Sequence, residues 1–278
     1  PGALALAPDS EFLLSGNAFQ YMRVSVTNGS GPRRDLTTST ISALPSLIAG
    51  EIPLLERDRL AYSLLSRIDV DIDIEKRTTT DALTSSPLPN ATFAALDVQF
   101  HQNVDEGWYG LTWARALSPT LRIGVSPSVA VRSQRTQGSV FAMGENAANE
   151  QAVLQYSRDF DYMHWRLLAR FGVSGARDSL TYGLTFTTSG LGLFGGGAVR
   201  ERVNLTSQTG TVGNVLGASY QDELSVDYRS PMGAGAGASF AWGTLRPHAS
   251  AEWWAAVDRY NLIEGDPFVI QTPNGDST

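Results

Sequence analysis

A chain of 278 residues with a formal net charge of −7 has room for one large β domain or two ordinary ones. Its 18% charged content is low beside the ~25% usual for soluble domains, and without a basic stripe nucleic acid is not an expected partner. There is no cysteine, which removes disulfides, thiolate metal sites and cysteine nucleophiles, and no run of ~18 apolar residues, so a membrane could be crossed only by strands.

Residues 11–27 read as extended and aromatic, with Phe12, Phe19 and Tyr21, and a polar Gly/Pro/Arg loop follows over 28–37. Residues 38–49 make a second strand with Pro45 inside it. Proline cannot donate to a ladder, so an edge, bulge or wall gap is expected there. The third strand, 59–76, contains Arg67-Ile-Asp-Val-Asp-Ile-Asp-Ile-Glu75. Period two puts Ile68, Val70, Ile72 and Ile74 on one face and Asp69, Asp71 and Asp73 on the other. Either a soluble sheet with one wet face or a barrel with lipid outside and a polar lumen meets that pattern. On the barrel reading the isoleucines face out and the aspartates face in.

A Thr/Ser/Pro-rich loop at 77–90 separates this strand from strands at 91–104 and 108–116. The Ser118-Pro-Thr120 turn then leads to an alternating strand over 121–135. A Gly/Ala/Asn loop is expected over 136–150. In 157–174, Met163, Trp165, Leu167, Ala169 and Phe171 oppose His164, Arg166 and Arg170. Strand 180–188 follows, then a Gly-rich interruption at 189–197, a strand at 224–242 and a last one at 245–260. Gly233, Gly235 and Gly237 share the polar face and are expected to line the lumen. The closing Asn274-Gly-Asp-Ser-Thr278 is polar and turn-like.

Strands of ten or more residues exceed the ~5–6 usual in soluble β proteins and match the ~9–11 that cross hydrocarbon at a tilt. The expected fold is therefore all-β: a single antiparallel transmembrane β-barrel domain of outer-membrane type spanning 1–278, incomplete at both ends. Trp108, Tyr109, Trp113, Trp165, Trp253 and Trp254 read mainly as interfacial girdle residues.

Other motifs carry little chemistry. Asp69-Val-Asp-Ile-Asp73 lacks the glycine and turn of a calcium loop and reads as an acidic lumen wall. Gly190-Leu-Gly-Leu-Phe-Gly195 fits G-x-G-x-x-G but has no helix after it to hold a pyrophosphate, so a strand-end kink or loop is the better reading. His101, His164 and His248 have no metal-ligand spacing, and no G-x-S-x-G elbow exists. No metal, cofactor or enzymatic activity is expected.

Several short motifs resemble FadL-like outer-membrane proteins, the long-chain fatty-acid transporters. Pro1-Gly-Ala-Leu-Ala5 is similar to the tail of that family's Asn-Pro-Ala-Gly-Leu-Ala motif. Leu44-Pro-Ser46 and residues 59–75 resemble its second and third strands. The clearest likeness runs through Trp108-Tyr-Gly-Leu-Thr-Trp113, the Leu-Ser-Pro turn, Ile123-Gly-Val-Ser-Pro127 and Val131-Arg-Ser-Gln-Arg135, with Leu184-Thr-Phe-Thr-Thr-Ser189 and Tyr228-Arg-Ser-Pro231 adding to it.

The resemblance implies a fourteen-stranded barrel, of which about nine strands lie here, with a plugging hatch before Pro1 and further strands after Thr278. It also implies passive uptake of long-chain fatty acids or similar hydrophobic molecules through a lateral opening in the bacterial outer membrane, with membrane lipid and that ligand as partners. Alternation makes Arg132, Arg166 and Arg170, with His164, lumen candidates for a carboxylate head. Asp69, Asp71 and Asp73 would repel that head or pair with the arginines, and Pro45 is the candidate opening. The alternatives are a structural or general diffusion barrel without a specific apolar ligand and, from another class, an outer-membrane enzyme, which the missing catalytic motif disfavours.

Overall fold

In the computed structural model the described residues are 12–15, 19–27, 35–43, 47–53, 57–79, 86–208, 212–272 and 275–277. They form β1 (Phe12–Ser15), β2 (Phe19–Val26), β3 (Leu36–Ala43), β4 (Leu47–Pro53), β5 (Asp58–Thr79), β6 (Ala91–Ser118), β7 (Leu121–Asn146) and β8 (Gln151–Arg177). These are followed by β9 (Leu180–Thr187), β10 (Leu191–Ser207), β11 (Val215–Ser225), β12 (Gly233–Phe240), β13 (His248–Trp254), β14 (Ile270–Thr272) and β15 (Gly275–Ser277). The chain is all-β, and every strand pairing among the described residues is antiparallel. β2 and β3 make a separate ribbon, and the remaining strands form one sheet that does not close among the described residues.

Several strands run further than alternation suggests. The expected break at 105–107 is absent, because Asp105, Glu106 and Gly107 continue β6 in unbroken register with β7 and stay paired with β5 across a register shift. The expected loop at 136–150 is mostly strand. Thr136 to Glu145 pair with β6 and β8 on their two sides, and those ladder bonds outweigh the weak propensity of Gly138 and Gly144. The Gly-rich 189–197 segment likewise enters β10, with a register shift between Gly192 and Phe194 marking a bulge. At Pro127, which has no N–H, the β6–β7 register skips Leu111 and Thr112. Pro45 lies outside the described residues.

The tight turns Ser118–Leu121, Arg177–Leu180 and Trp242–Leu245 sit at one end of the sheet, and the connections after β5 and β10 lie at the other. The sheet is curled. Trp254 of β13 lies over the Arg67 guanidinium of β5 at 4.9 Å, although β6, β7, β8, β9 and β12 stand between them in sheet order. The face that carries these two side chains is therefore concave.

Outward residues divide into two belts. Near the tight turns the convex face exposes Tyr62, Leu64, Tyr109, Leu111, Met163, Leu167, Phe171, Val173, Leu184 and Phe186. Towards the other end the same face carries Asp69, Asp71, Asp73, Asp105, Arg135, Asp161 and Arg200.

The position of the aspartates corrects the sequence reading. Alternation across 68–75 holds, but the faces are reversed. Ile74 is buried and Ile68, Val70 and Ile72 are half-buried on the concave side, while Asp69, Asp71 and Asp73 are exposed on the convex side. The cause is a bulge in β5. Ser66 pairs with Gly107, yet Ile68 pairs with the very next residue, Glu106, so Arg67 is an extra residue. One extra residue exchanges the faces for everything beyond it. Before the bulge odd residues such as Leu65 face in, and after it even residues do.

Candidate functional site

The concave face has an apolar upper part and a polar waist. Ala94, Leu96 and Ala142 pack together with Val98, Val140 and Leu154 towards the longer connections. Below them, successive inward residues of three adjacent strands bring Glu106 of β6 opposite Arg132 of β7, and Arg132 opposite His164 of β8. Arg166, two residues along β8, lies next to them on the same face.

Glu106 is the hub of this waist. Its Oε1 accepts from Trp108 Nε1 at 2.7 Å, and its Oε2 accepts from Arg132 Nη1 at 3.1 Å. Arg166 Nη2 lies 3.0 Å from the same Oε2. Arg132 Nε donates to the Tyr162 hydroxyl at 2.9 Å, and that hydroxyl donates to Gln134 Oε1 at 3.1 Å. Arg132 is thus held in place from two sides.

Arg166 is different. Its side chain is fully buried, its Nη2 is ion-paired with Glu106 Oε2, and its Nε and Nη1 find no acceptor among the described residues. His164 Nδ1 is likewise buried without a partner. A buried guanidinium with unused donors is costly, and an anion supplied from outside would satisfy it.

Tyr228, from the segment between β11 and β12, covers this pair. Its ring lies 4.6 Å from the Arg132 guanidinium carbon and 4.3 Å from that of Arg166, and it stacks on Tyr162 at 6.4 Å. A second tier sits below. Arg67, the bulge residue, is held between Trp108 at 4.8 Å and Trp254 at 4.9 Å, and Arg170 lies over Trp108 at 5.2 Å. Trp108 and Trp254 therefore stack on cations inside the curl, whereas Trp165 and Trp253 face outwards as girdle positions would. Beneath Arg170 a cavity of about 200 Å³ is lined by Leu65, Trp108, Thr112 and Ser126.

The glycines of β10 shape the floor. A Cβ on Gly195 would meet His164 Cδ2 at 2.6 Å, one on Gly197 would meet Asp161 O at 2.7 Å and Tyr162 Cβ at 3.0 Å, and one on Gly190 would meet Ser230 Oγ at 2.4 Å and Arg166 Cδ at 3.2 Å. The G-x-G-x-x-G pattern thus lies in a strand and its approach. Its missing side chains let the bulky inward residues of β8 lie flat. Gly233, Gly235 and Gly237 face inwards as expected, opposite Thr187, Thr185 and Gly183.

Of the residues that the sequence singles out, Arg132, Arg166, Arg170 and His164 come together on the concave face, whereas Asp69, Asp71 and Asp73 are on the far side of the sheet from them. The counter-charge of Arg132 and Arg166 is Glu106 instead. Glu106, Tyr162, Gln134, Tyr228 and Arg67 were not legible as site residues, and Trp108 read mainly as a girdle position rather than as a stacking residue. Glu106 could have been found by carrying the phase of Leu96, Val98 and Val104 through to Trp108. Among the described residues no cluster of His, Asp and Glu has metal-site geometry. Neither models of known protein families nor curated proteins match the chain.

Proposed function

We propose that the chain forms part of the wall of an outer-membrane barrel that takes up hydrophobic molecules with an anionic head, such as long-chain fatty acids. The exposed apolar belt supports lipid contact. From Met163 to Val173 it rises roughly 35 Å along β8, which at the usual tilt is the ~25 Å height of an outer-membrane apolar band. The tight turns at one end and longer connections at the other fit that orientation, with the acidic Asp69, Asp71 and Asp73 standing in water above the membrane.

The observation that carries the reading is Arg166. It is fully buried with donors left over beyond its ion pair to Glu106, on a concave face that carries an apolar cluster further along, past the hydrogen-bonded Gln102, Gln134 and Thr136. An acyl tail gains ~0.8 kcal/mol per methylene buried against such a cluster, and a carboxylate meets the guanidiniums nearer the tight turns. The short motifs resembling FadL-like transporters point to the same class of ligand.

The test is binding and uptake of oleate by the protein in native membranes, with Arg166→Met against Arg135→Met on the convex face. A charge-assisted contact is worth ~1.5–3 kcal/mol, so Arg166→Met should weaken oleate binding about tenfold or more while Arg135→Met leaves it unchanged. A parent protein that neither binds nor transports oleate would instead fit a structural or general diffusion barrel.

A further inference from the structure

Below Trp108 the concave face has a gap walled by hydroxyl groups. Ser63 of β5, Gly110 of β6 and Ser128 of β7 stand in one row, each opposite the next. A Cβ on Gly110 would lie 2.5 Å from Ser128 Oγ and 3.3 Å from Ser63 Oγ, so both hydroxyls lean into the space that the glycine leaves. Neither has a hydrogen-bond partner among the described residues. The hydroxyls of Thr112 and Ser126 lie beside them, bonded to each other at 2.6 Å, and Ser126 stands opposite Arg170 of β8. One of that pair donates in the bond, which leaves the hydrogen of the other free. This gap is the cavity of about 200 Å³ beneath Arg170.

The two cationic tiers differ in charge. At the waist Arg132 and Arg166 share one carboxylate, Glu106, at 3.1 and 3.0 Å, so the pair has one positive charge left over. In the lower tier Arg67 and Arg170 lie on the Trp108 ring at 4.8 and 5.2 Å, and among the described residues neither has a carboxylate within ion-pair distance. The carboxylate that acts on Arg170 at longer range is Glu252 of β13. Two guanidiniums held against one indole repel each other, and an anion of charge −2 beside them relieves that repulsion more than a carboxylate does. The cavity holds roughly six waters' share of liquid volume, which suits a tetrahedral oxyanion with a few waters.

We propose that this cavity is a second anion site, built for a doubly charged tetrahedral oxyanion: inorganic phosphate or the phosphate end of a phosphomonoester. Arg170 supplies charge-assisted donors. Ser63, Ser128 and the free hydroxyl of the Thr112–Ser126 pair supply neutral ones, and Arg67 adds a second positive charge from its place against Trp108. These donors come from separate strands and meet oxygens that point in several directions, which a planar carboxylate does not offer. Gly110 is what makes the room. The site stands apart from the uptake reading, since it needs neither an acyl tail nor Arg166.

The test is titration calorimetry of the purified protein in an uncharged detergent at about pH 8, above the second pKa of ~6 of phosphomonoesters. Sodium phosphate, sulfate and acetate are compared at constant ionic strength. The expected result is saturable phosphate and sulfate binding, each at least tenfold tighter than acetate. Losing a charge-assisted contact should weaken phosphate at least tenfold in Arg170→Met, and losing a neutral one about threefold in Ser128→Ala, while Arg135→Met on the convex face leaves it unchanged. A parent without saturable phosphate binding, or with equal affinity for acetate, overturns the proposal. So does Arg135→Met weakening phosphate as much as Arg170→Met.

Gly110→Ala tests the cavity without touching a charge, and together with Ser128→Ala it carries the test if Arg170→Met does not fold. Its methyl fills the space between Ser63 and Ser128, so phosphate should bind at least about threefold more weakly. Phosphate affinity equal to the parent's in both Gly110→Ala and Ser128→Ala overturns the site. Dodecyl phosphate separates the two sources of the group. Affinity at least tenfold above that of inorganic phosphate, and lowered by Ser128→Ala, assigns the cavity to an amphiphile's phosphate head. Affinity at or below that of inorganic phosphate assigns it to the free anion.

Discussion

Glu106→Gln is the sharpest perturbation of the waist. In the parent one carboxylate takes a hydrogen bond from Trp108 at 2.7 Å and faces two guanidiniums at 3.0 and 3.1 Å, with its side chain only 5% exposed. The amide removes the negative charge and turns an NH₂ group towards one of these donors, so at least one contact becomes donor against donor. Breaking a buried pair by neutralising one partner costs about 3–5 kcal/mol, because the remaining charge stays buried. Asp161→Asn is the matched control. Asp161 lies 2.9 Å from Arg200, as short a contact, but the two side chains are 45% and 40% exposed, so water replaces what is lost and the change should be at most about 1 kcal/mol. Denaturant unfolding of the protein in lipid vesicles, followed by tryptophan fluorescence, gives both values when the slopes match the parent. If the two substitutions cost the same within about 1 kcal/mol, the waist is solvated and the argument from buried charge is wrong.

Further expectations follow from the bulge, the glycine floor and the apolar belt. A membrane-impermeant thiol reagent should label Asp71→Cys in intact cells much faster than Val70→Cys, and the reverse order would place the faces as strict alternation does. Gly195→Ala should destabilise by about 1–3 kcal/mol, since its methyl would meet His164 Cδ2 at 2.6 Å and Met163 O at 2.9 Å, whereas Gly196→Ala, with nothing within 4 Å, should stay within about 0.5 kcal/mol. Equal unfolding midpoints for the two would refute the close approach. Phe171→Arg should cost about 2–4 kcal/mol in lipid if the belt faces hydrocarbon, and Gln137→Arg, on the same face between His101 and Asp159, close to nothing. Equal costs in vesicle unfolding would remove the membrane reading.

Local chemistry alone carried the strand pattern. Period-two alternation in 121–135 and 157–174 separates Arg132, Arg166 and Arg170 from Val131, Leu167 and Phe171, because a pleated strand has only two faces. The same rule put Gly233, Gly235 and Gly237 on the polar side. Alternation, however, fixes faces only relative to one another. Arg67 is one residue too many for its partner strand, and that fact is contained in the pairing of Ser66 with Gly107 and Ile68 with Glu106, not in residues 67–75 themselves. It turned the aspartates outwards and left Glu106 to balance the arginines. Likewise the glycines at 138 and 144 read as loop until a ladder bonds them on both sides, and Tyr228 is an ordinary loop tyrosine until the curl of the sheet sets it over two guanidiniums. Short-range periodicity follows from the backbone of each strand. Register, curvature and the meeting of distant side chains depend on which strands pair, and only the tertiary structure decides that.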